Sequence, residues 1–243
     1  MLVAVTKTFP PEMIIAAWEA GQRHFGENRP EEGAEKIPQV MRDIAARHIT
    51  LLALTDADRT EQDAEAEATT PEPDSDIPIW HMIGHIQSRK TEMVVTYFDI
   101  VHSVDRYKIA HRLSVQGTAA DREIPVLLEC NVSGEESKYG YAASGWEHDP
   151  AVRTALLDEA KRVVALPGLR VAGLMTVGPF VDDPEEIRPV FASLRALRDF
   201  LQEHIAEVDW HHLSMGMTSD YEVAVAEGAT LVRIGRAIFG ARH

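Results

Sequence analysis

Short apolar runs alternate with longer stretches of helical periodicity from one end of the chain to the other. Leu2–Thr6, His24–Glu27, Ile79–Ile83, Asp99–Ser103, Pro125–Asn131, Arg170–Met175, Trp210–Ser214 and Leu231–Ile234 read as eight strands. Between them, Glu12–Ala20, Glu31–Ala46, Ser88–Tyr97, Arg106–Gln116, Pro150–Leu166, Glu185–Ile205 and Asp220–Glu227 read as seven helices. This order predicts an α/β protein, a (β/α)8 or TIM barrel, formed by residues 1–243 as one domain. A doubly wound open sheet is the competing architecture. One segment breaks the rhythm: 55–76 carries many acids, two prolines and almost no large apolar residue, the pattern of a mobile surface insertion. Its Asp56, Asp58 and Thr60 mimic calcium-loop positions, but Glu61 stands where the tight turn needs glycine, so an acidic loop is the reading taken.

Composition narrows the partners. The 243 residues are 45% hydrophobic and 26% charged, enough apolar material for a sizeable core. Against 39 acidic residues stand 24 basic ones, a net charge of −15, which disfavours nucleic acid and anionic membrane as main partners. A small anion can still bind in a local basic pocket. The single cysteine, Cys130, permits no intrachain disulfide and suits a reducing compartment. Met1–Thr8 has neither a basic leader region nor a cleavage site, and no apolar run reaches the ~18 residues of a membrane span, so a cytoplasmic protein is expected.

In a barrel the chemistry gathers at the C-terminal strand ends. Lys7, between Thr6 and Thr8, closes the first strand; a partly desolvated lysine there can present a neutral amine to a carbonyl and form a Schiff base. A surface lysine capping the strand is the plainer alternative. The second strand leads to Gly26, which permits close backbone approach, and Asn28, which offers both donor and acceptor. His81 and His85 have a spacing that suggests metal, yet they lie on a strand and a turn rather than one helical face, and no metal site is expected. After the last two strands come Ser214-Met215-Gly216-Met217 and Arg233-Ile234-Gly235-Arg236, placed where barrels commonly bind phosphate. Ser214, Gly216, Gly235 and the amide of Arg236 are the candidates for that seat. A hydrolase nucleophile at Ser214 would need glycine where His212 stands. An amine facing a phosphate seat across one mouth suits a ligand with an aldehyde at one end and a phosphate at the other, as in pyridoxal 5′-phosphate (PLP). Arg233 would then face the pyridine nitrogen. It can only donate, which weakens the cofactor as an electron sink.

Together, Val5-Thr6-Lys7-Thr8, Phe25-Gly26-Glu27-Asn28, His81-Met82-Ile83-Gly84-His85-Ile86-Gln87, Val104-Asp105-Arg106, Asn131-Val132-Ser133 with Ser137-Lys138-Tyr139-Gly140, Gly173-Leu174-Met175-Thr176, Ser214-Met215-Gly216-Met217 and Val232-Arg233-Ile234-Gly235 resemble the pyridoxal phosphate homeostasis protein family over nearly the whole chain. The resemblance implies a barrel like the N-terminal domain of alanine racemase, monomeric, binding PLP, a form of vitamin B6, through a lysine imine. By position it makes Lys7 the imine lysine, sets Arg233 at the ring nitrogen, places Ser214, Gly235 and Arg236 around the phosphate, and brings Asn28 near the ring. It implies a non-catalytic role in buffering or delivering the cofactor, with apo PLP-dependent enzymes as recipients. Two departures stand out. The helix that usually precedes the lysine strand is lacking, which implies either an upstream start or a missing barrel helix, and Arg236 stands where many members have threonine.

A PLP-dependent racemase-like enzyme is the alternative function. Two-base racemisation needs a second acid or base facing the cofactor, commonly supplied by an added C-terminal domain, and Tyr139 and Tyr221 are the substitutes within this chain. A third class, a barrel hydrolase or aldolase acting on a phosphorylated sugar, would share the lysine and the phosphate seat.

Overall fold

The structure, a computed structural model, describes residues 1–57 and 76–240. Strands and helices alternate: β1 (Leu2–Val5), α1 (Pro11–Glu19), β2 (His24–Glu27), α2 (Pro30–Ala57), β3 (Ile79–Met82), α3 (Thr91–Tyr97), β4 (Ile100–Val104), α4 (Tyr107–Ala119), β5 (Ile124–Asn131), β6 (Tyr141–Ala142), α5 (Pro150–Val164), β7 (Leu169–Met175), α6 (Arg188–His204), β8 (His212–Ser214), α7 (Tyr221–Ala226), β9 (Val232–Ile234) and α8 (Arg236–Phe239). The strands pair in parallel in the order β8-β7-β5-β4-β3-β2-β1-β9, with the two-residue β6 beside β5 and off that path. The ends of the path meet where Ser214 bridges Leu231 and Met215 N–H donates to Leu231 O at 3.1 Å. The architecture is the (β/α)8 barrel that the alternation predicts.

Strand alternation builds two cores. One set of side chains, including Ala4, Phe25, Trp80, Met82, Val126, Leu128 and Leu213, faces the helical layer and joins the main apolar cluster. The other set, Val3, Leu127, Ala172, Met175 and Leu231, fills the barrel interior. Each helix presents a matching stripe: on α6, Phe191, Leu194, Leu197 and Leu201 are buried at spacings of three and four. Helix α5 starts where Asp149 accepts from Ala151 N–H at 2.8 Å with Pro150 at the first helical position.

Several boundaries differ from the pattern reading. Helix α2 continues to Ala57, overlapping the start of the acidic stretch, because Ala and Leu beyond Ala46 sustain a helix. Residues 88–90 form a 3-10 turn, and α3 starts only at Thr91. The expected mobile insertion falls largely on 58–75, outside the described residues. At its C-terminal margin Asp76 is tied to the barrel by an ion pair with Arg23 and by Trp18 Nε1–H donating to Asp76 O at 2.7 Å.

Candidate functional site

The register of four neighbouring strands brings most of the candidate residues to one mouth. Strand β1 pairs with β9, setting Ala4 against Ile234, and with β2, setting Val5 against Gly26. Lys7 therefore leaves β1 with Gly235 and Arg236 on one side and Asn28 on the other, and the β8 end carrying Ser214 follows beyond β9. Lys7 and Asn28 are half-buried and Arg236 is exposed. The loop after β3 crosses Asn28 so closely that a Cβ on Gly84 would lie 2.1 Å from Asn28 O, so only glycine fits. Gly216 has φ of 92° and would bring a Cβ within 2.5 Å of Ala224 Cβ; it turns the chain out of β8. Gly235 precedes α8 and accepts from the Ile238 and Phe239 N–H groups at 3.0 Å, which leaves the N–H groups of Arg236 and Ala237 without partners within the helix.

A buried ion cluster holds the backbone on both sides of Lys7. Lys36 of α2 donates to Thr6 O at 2.9 Å, to Glu27 Oε1 at 2.8 Å and to Glu32 Oε1 at 2.9 Å. Thr6 Oγ1–H donates to Glu27 Oε1 at 2.6 Å, and Thr8 N–H donates to Glu32. Thr8 itself adopts a left-handed φ of 68°. Glu27 is fully buried, and burial raises its carboxyl above the usual range despite the neighbouring ammonium.

Arg233 lies inside the barrel, 5% exposed, and donates from Nη1 to Ser214 Oγ at 2.6 Å and from Nη2 to Thr176 O at 2.9 Å. Burial lowers its pKa to about 10, against the pull of Glu129 and Asp220. The Ser214 hydroxyl, expected against a phosphate, is fully buried and engaged within the barrel: besides accepting from Arg233 it lies 2.8 Å from His102 Nδ1. His102 Nε2 lies 2.8 Å from His81 Nδ1, and His81 Nε2 lies 3.0 Å from His24 Nδ1. Burial lowers all three histidines, His81 to about 3 and His102 well below its ordinary value, with neighbouring rings and Arg233 adding to the effect on His102. Glu129 on β5 completes the interior charges; burial first, then Asp105, pushes its carboxyl up to about 7.

His81 and His85 do not converge. His85 Nδ1 lies 3.0 Å from Asp105 Oδ2, and its ring stacks on Tyr139 with centroids 3.8 Å apart. Arg106 Nη1 also donates to Asp105 Oδ2 at 2.5 Å, while Ser103 Oγ–H donates to Gly84 O at 2.6 Å. The motifs after β3 and β4 thus brace one another. No group of three metal-ligating side chains converges among the described residues. The sequence reading passed over Lys36, His24, His102, Glu129 and Thr176. Polar residues at inward strand positions, where small or branched apolar side chains are the rule, were the signal for His24, His81, His102 and Glu129.

A lysine just past β1 beside a barrel interior that holds a buried arginine fits the class described as alanine racemase, N-terminal domain, and residues 2–243 match the model of that family. The pyridoxal phosphate homeostasis protein of Vibrio alginolyticus is 37% identical over 241 residues, covering 99% of this chain and 86% of that protein. PipY of Synechococcus elongatus PCC7942, solved with PLP bound, superposes with a TM-score of 0.74 at 32% identity, over 99% of this chain and 92% of PipY. The chain belongs to the pyridoxal phosphate homeostasis protein family. Alanine racemase of Clostridium difficile 630 shares the fold at a TM-score of 0.63 and 12% identity, and this chain spans 52% of it.

Proposed function

We propose that this chain binds PLP at the barrel mouth and holds it for buffering or delivery within the cell, without turning over a substrate. The observation that carries the proposal is the β1–β9 register, which sets an amine, a buried guanidinium and the start of α8 around one mouth. When bound, PLP supplies an aldehyde that condenses with an amine and a phosphate that needs several N–H donors. The donor set fits both. Lys7 offers the amine from a backbone clamped at Thr6 and Thr8. Gly235 and the Arg236 amide open a helix toward the anion, with the Arg236 side chain close by, and Asn28 flanks the ring. Among the described residues only two of the five Arg233 N–H donors are taken, which leaves donors for a ring nitrogen that stays unprotonated. Ser214 enters this reading chiefly as the residue that holds Arg233. The binding of PLP by PipY and the shared family support the assignment. The same reading takes the protein as a cytoplasmic monomer that hands PLP to apo enzymes.

The test is visible absorbance on adding PLP, followed by borohydride reduction and peptide mapping. The adduct is expected on Lys7, and Lys7→Ala should lose it while retaining weaker PLP binding through the phosphate seat. Reduction on scattered surface lysines, or no uptake, overturns the proposal and favours a barrel aldolase. A racemase-like reading draws on Glu129, whose carboxyl near 7 could exchange protons. It predicts exchange of an amino acid's α-hydrogen in deuterated water, and its absence is expected.

A further inference from the structure

We infer that His24, His81, His102 and Ser214 form a hydrogen-bond chain running in one direction, which fixes Arg233 as a donor to the ligand in the barrel mouth.

The direction follows from what each group can do. Arginine only donates, so Ser214 Oγ must accept from Arg233 Nη1. Among the described residues the Ser214 proton then has one acceptor within reach, His102 Nδ1. That nitrogen must therefore be bare, and His102 carries its proton on Nε2. From Nε2 it donates to His81 Nδ1, and His81 in turn donates from Nε2 to His24 Nδ1. All three rings are then the Nε2–H tautomer. The opposite direction would strand the Ser214 proton between two donors in a fully buried site, which costs about 1–3 kcal/mol. A charged ring would set N–H against N–H at one of the links. The groups facing His81 are His24, His102 and His212, and those facing His102 are His81, His212 and Arg233, so among the described residues no carboxylate favours the charged form of either ring. Each link turns a lone pair toward the guanidinium and a proton away from it. The chain thereby stabilises a buried cation with neutral groups and keeps its remaining donors available. That these donors serve the ring of PLP rests on the binding proposed above; the tautomers do not.

The experiment has two arms. In the first, apo protein labelled with 15N-histidine is read by long-range 1H–15N correlation, with His81→Gln and His102→Gln identifying their signals among the 11 histidines. His24, His81 and His102 should show the Nε2–H pattern, and His81 and His102 should keep it from about pH 8 to about pH 5.5, a range in which an ordinary histidine titrates. An Nδ1–H pattern at His102, or its protonation in that range, overturns the chain. The second arm compares Ser214→Ala with Ser214→Thr, which keeps the hydroxyl. Ser214→Ala should weaken PLP binding about tenfold, the scale of one hydrogen bond to a charged group. It should also shift the absorbance of the bound cofactor, with borohydride still marking Lys7, and Ser214→Thr should restore both. Pyridoxal lacking the phosphate should lose affinity by the same factor; if it loses none, Ser214 acts on the phosphate and the positioning role fails. Wild-type protein that takes up no PLP would end the binding proposal, while the tautomer pattern would still decide the chain.

Discussion

At the scale of single residues, Lys36 shows how the backbone around the imine lysine of this reading is held. Its ammonium donates at once to Glu27 Oε1, Glu32 Oε1 and the Thr6 carbonyl, and Glu27 has no exposed surface. Removing one partner of such a pair leaves an uncompensated buried charge, worth about 3–5 kcal/mol. Lys36→Met should therefore lower urea stability by about that amount, and adding Glu27→Gln should recover a large part of it. A double-mutant cycle that gives no coupling would show the two side chains to be independent. Residue roles of this kind were the least legible in the sequence. Lys7 and Arg233 stand out because they end or line strands, but nothing local shows which way the Ser214 hydroxyl turns. The histidine chain joins positions 57, 21 and 112 residues apart, a proximity set by how eight tilted strands close.

At the scale of elements, strands were easier to read than helices' ends. Parallel strands covered on both faces are largely apolar, so strands such as β1, β5 and β7 read as short hydrophobic runs, while β2 and β8 are interrupted by the polar residues they turn into the barrel. Helix boundaries rest on caps and propensity: α2 has no sequence signal that ends it at Ala46, and the two-residue β6 and four-residue α8 are too short for any periodicity. The connections after β2 and β3 do the positioning. Gly84 lets one cross the other at Asn28, where an added Cβ would also lie 2.7 Å from Asn28 Cα, and backbone cannot step aside as a side chain can. Gly84→Ala should cost about 3 kcal/mol, the upper range for overpacking, and lower the melting temperature by ~6–12 °C. Because the displaced residue is Asn28, PLP affinity measured at a temperature where the variant is folded should fall as well. Wild-type melting and affinity would show that the loop relaxes freely.

At the scale of the whole molecule, a barrel that encloses titratable side chains ties its stability to pH. His81 and His102 have folded pKa values below the ordinary 6.5, so as pH falls the unfolded chain takes up protons that the native chain refuses. The stability they contribute is complete above pH 6.5 and is lost below it, at up to about 1.4 kcal/mol per pH unit for each ring. Glu129 acts in the opposite sense: its folded value near 7 lies above the ordinary 4.5, so its contribution is present at low pH and is lost as pH rises between those values. Burial shifts Glu27 and Asp99 in the same direction as Glu129. Between about pH 6.5 and pH 4.5 the terms oppose one another, two rings against one strongly shifted carboxyl, and the native state should lose stability only gently on acidification. Glu129→Gln removes the largest opposing term. Its urea midpoint should fall more steeply than that of the wild type between about pH 7 and about pH 5, with the slopes differing by up to about 1.4 kcal/mol per pH unit. Parallel slopes would mean that Glu129 is already ionised in the native barrel at pH 5, and that Arg233 rather than burial governs its charge.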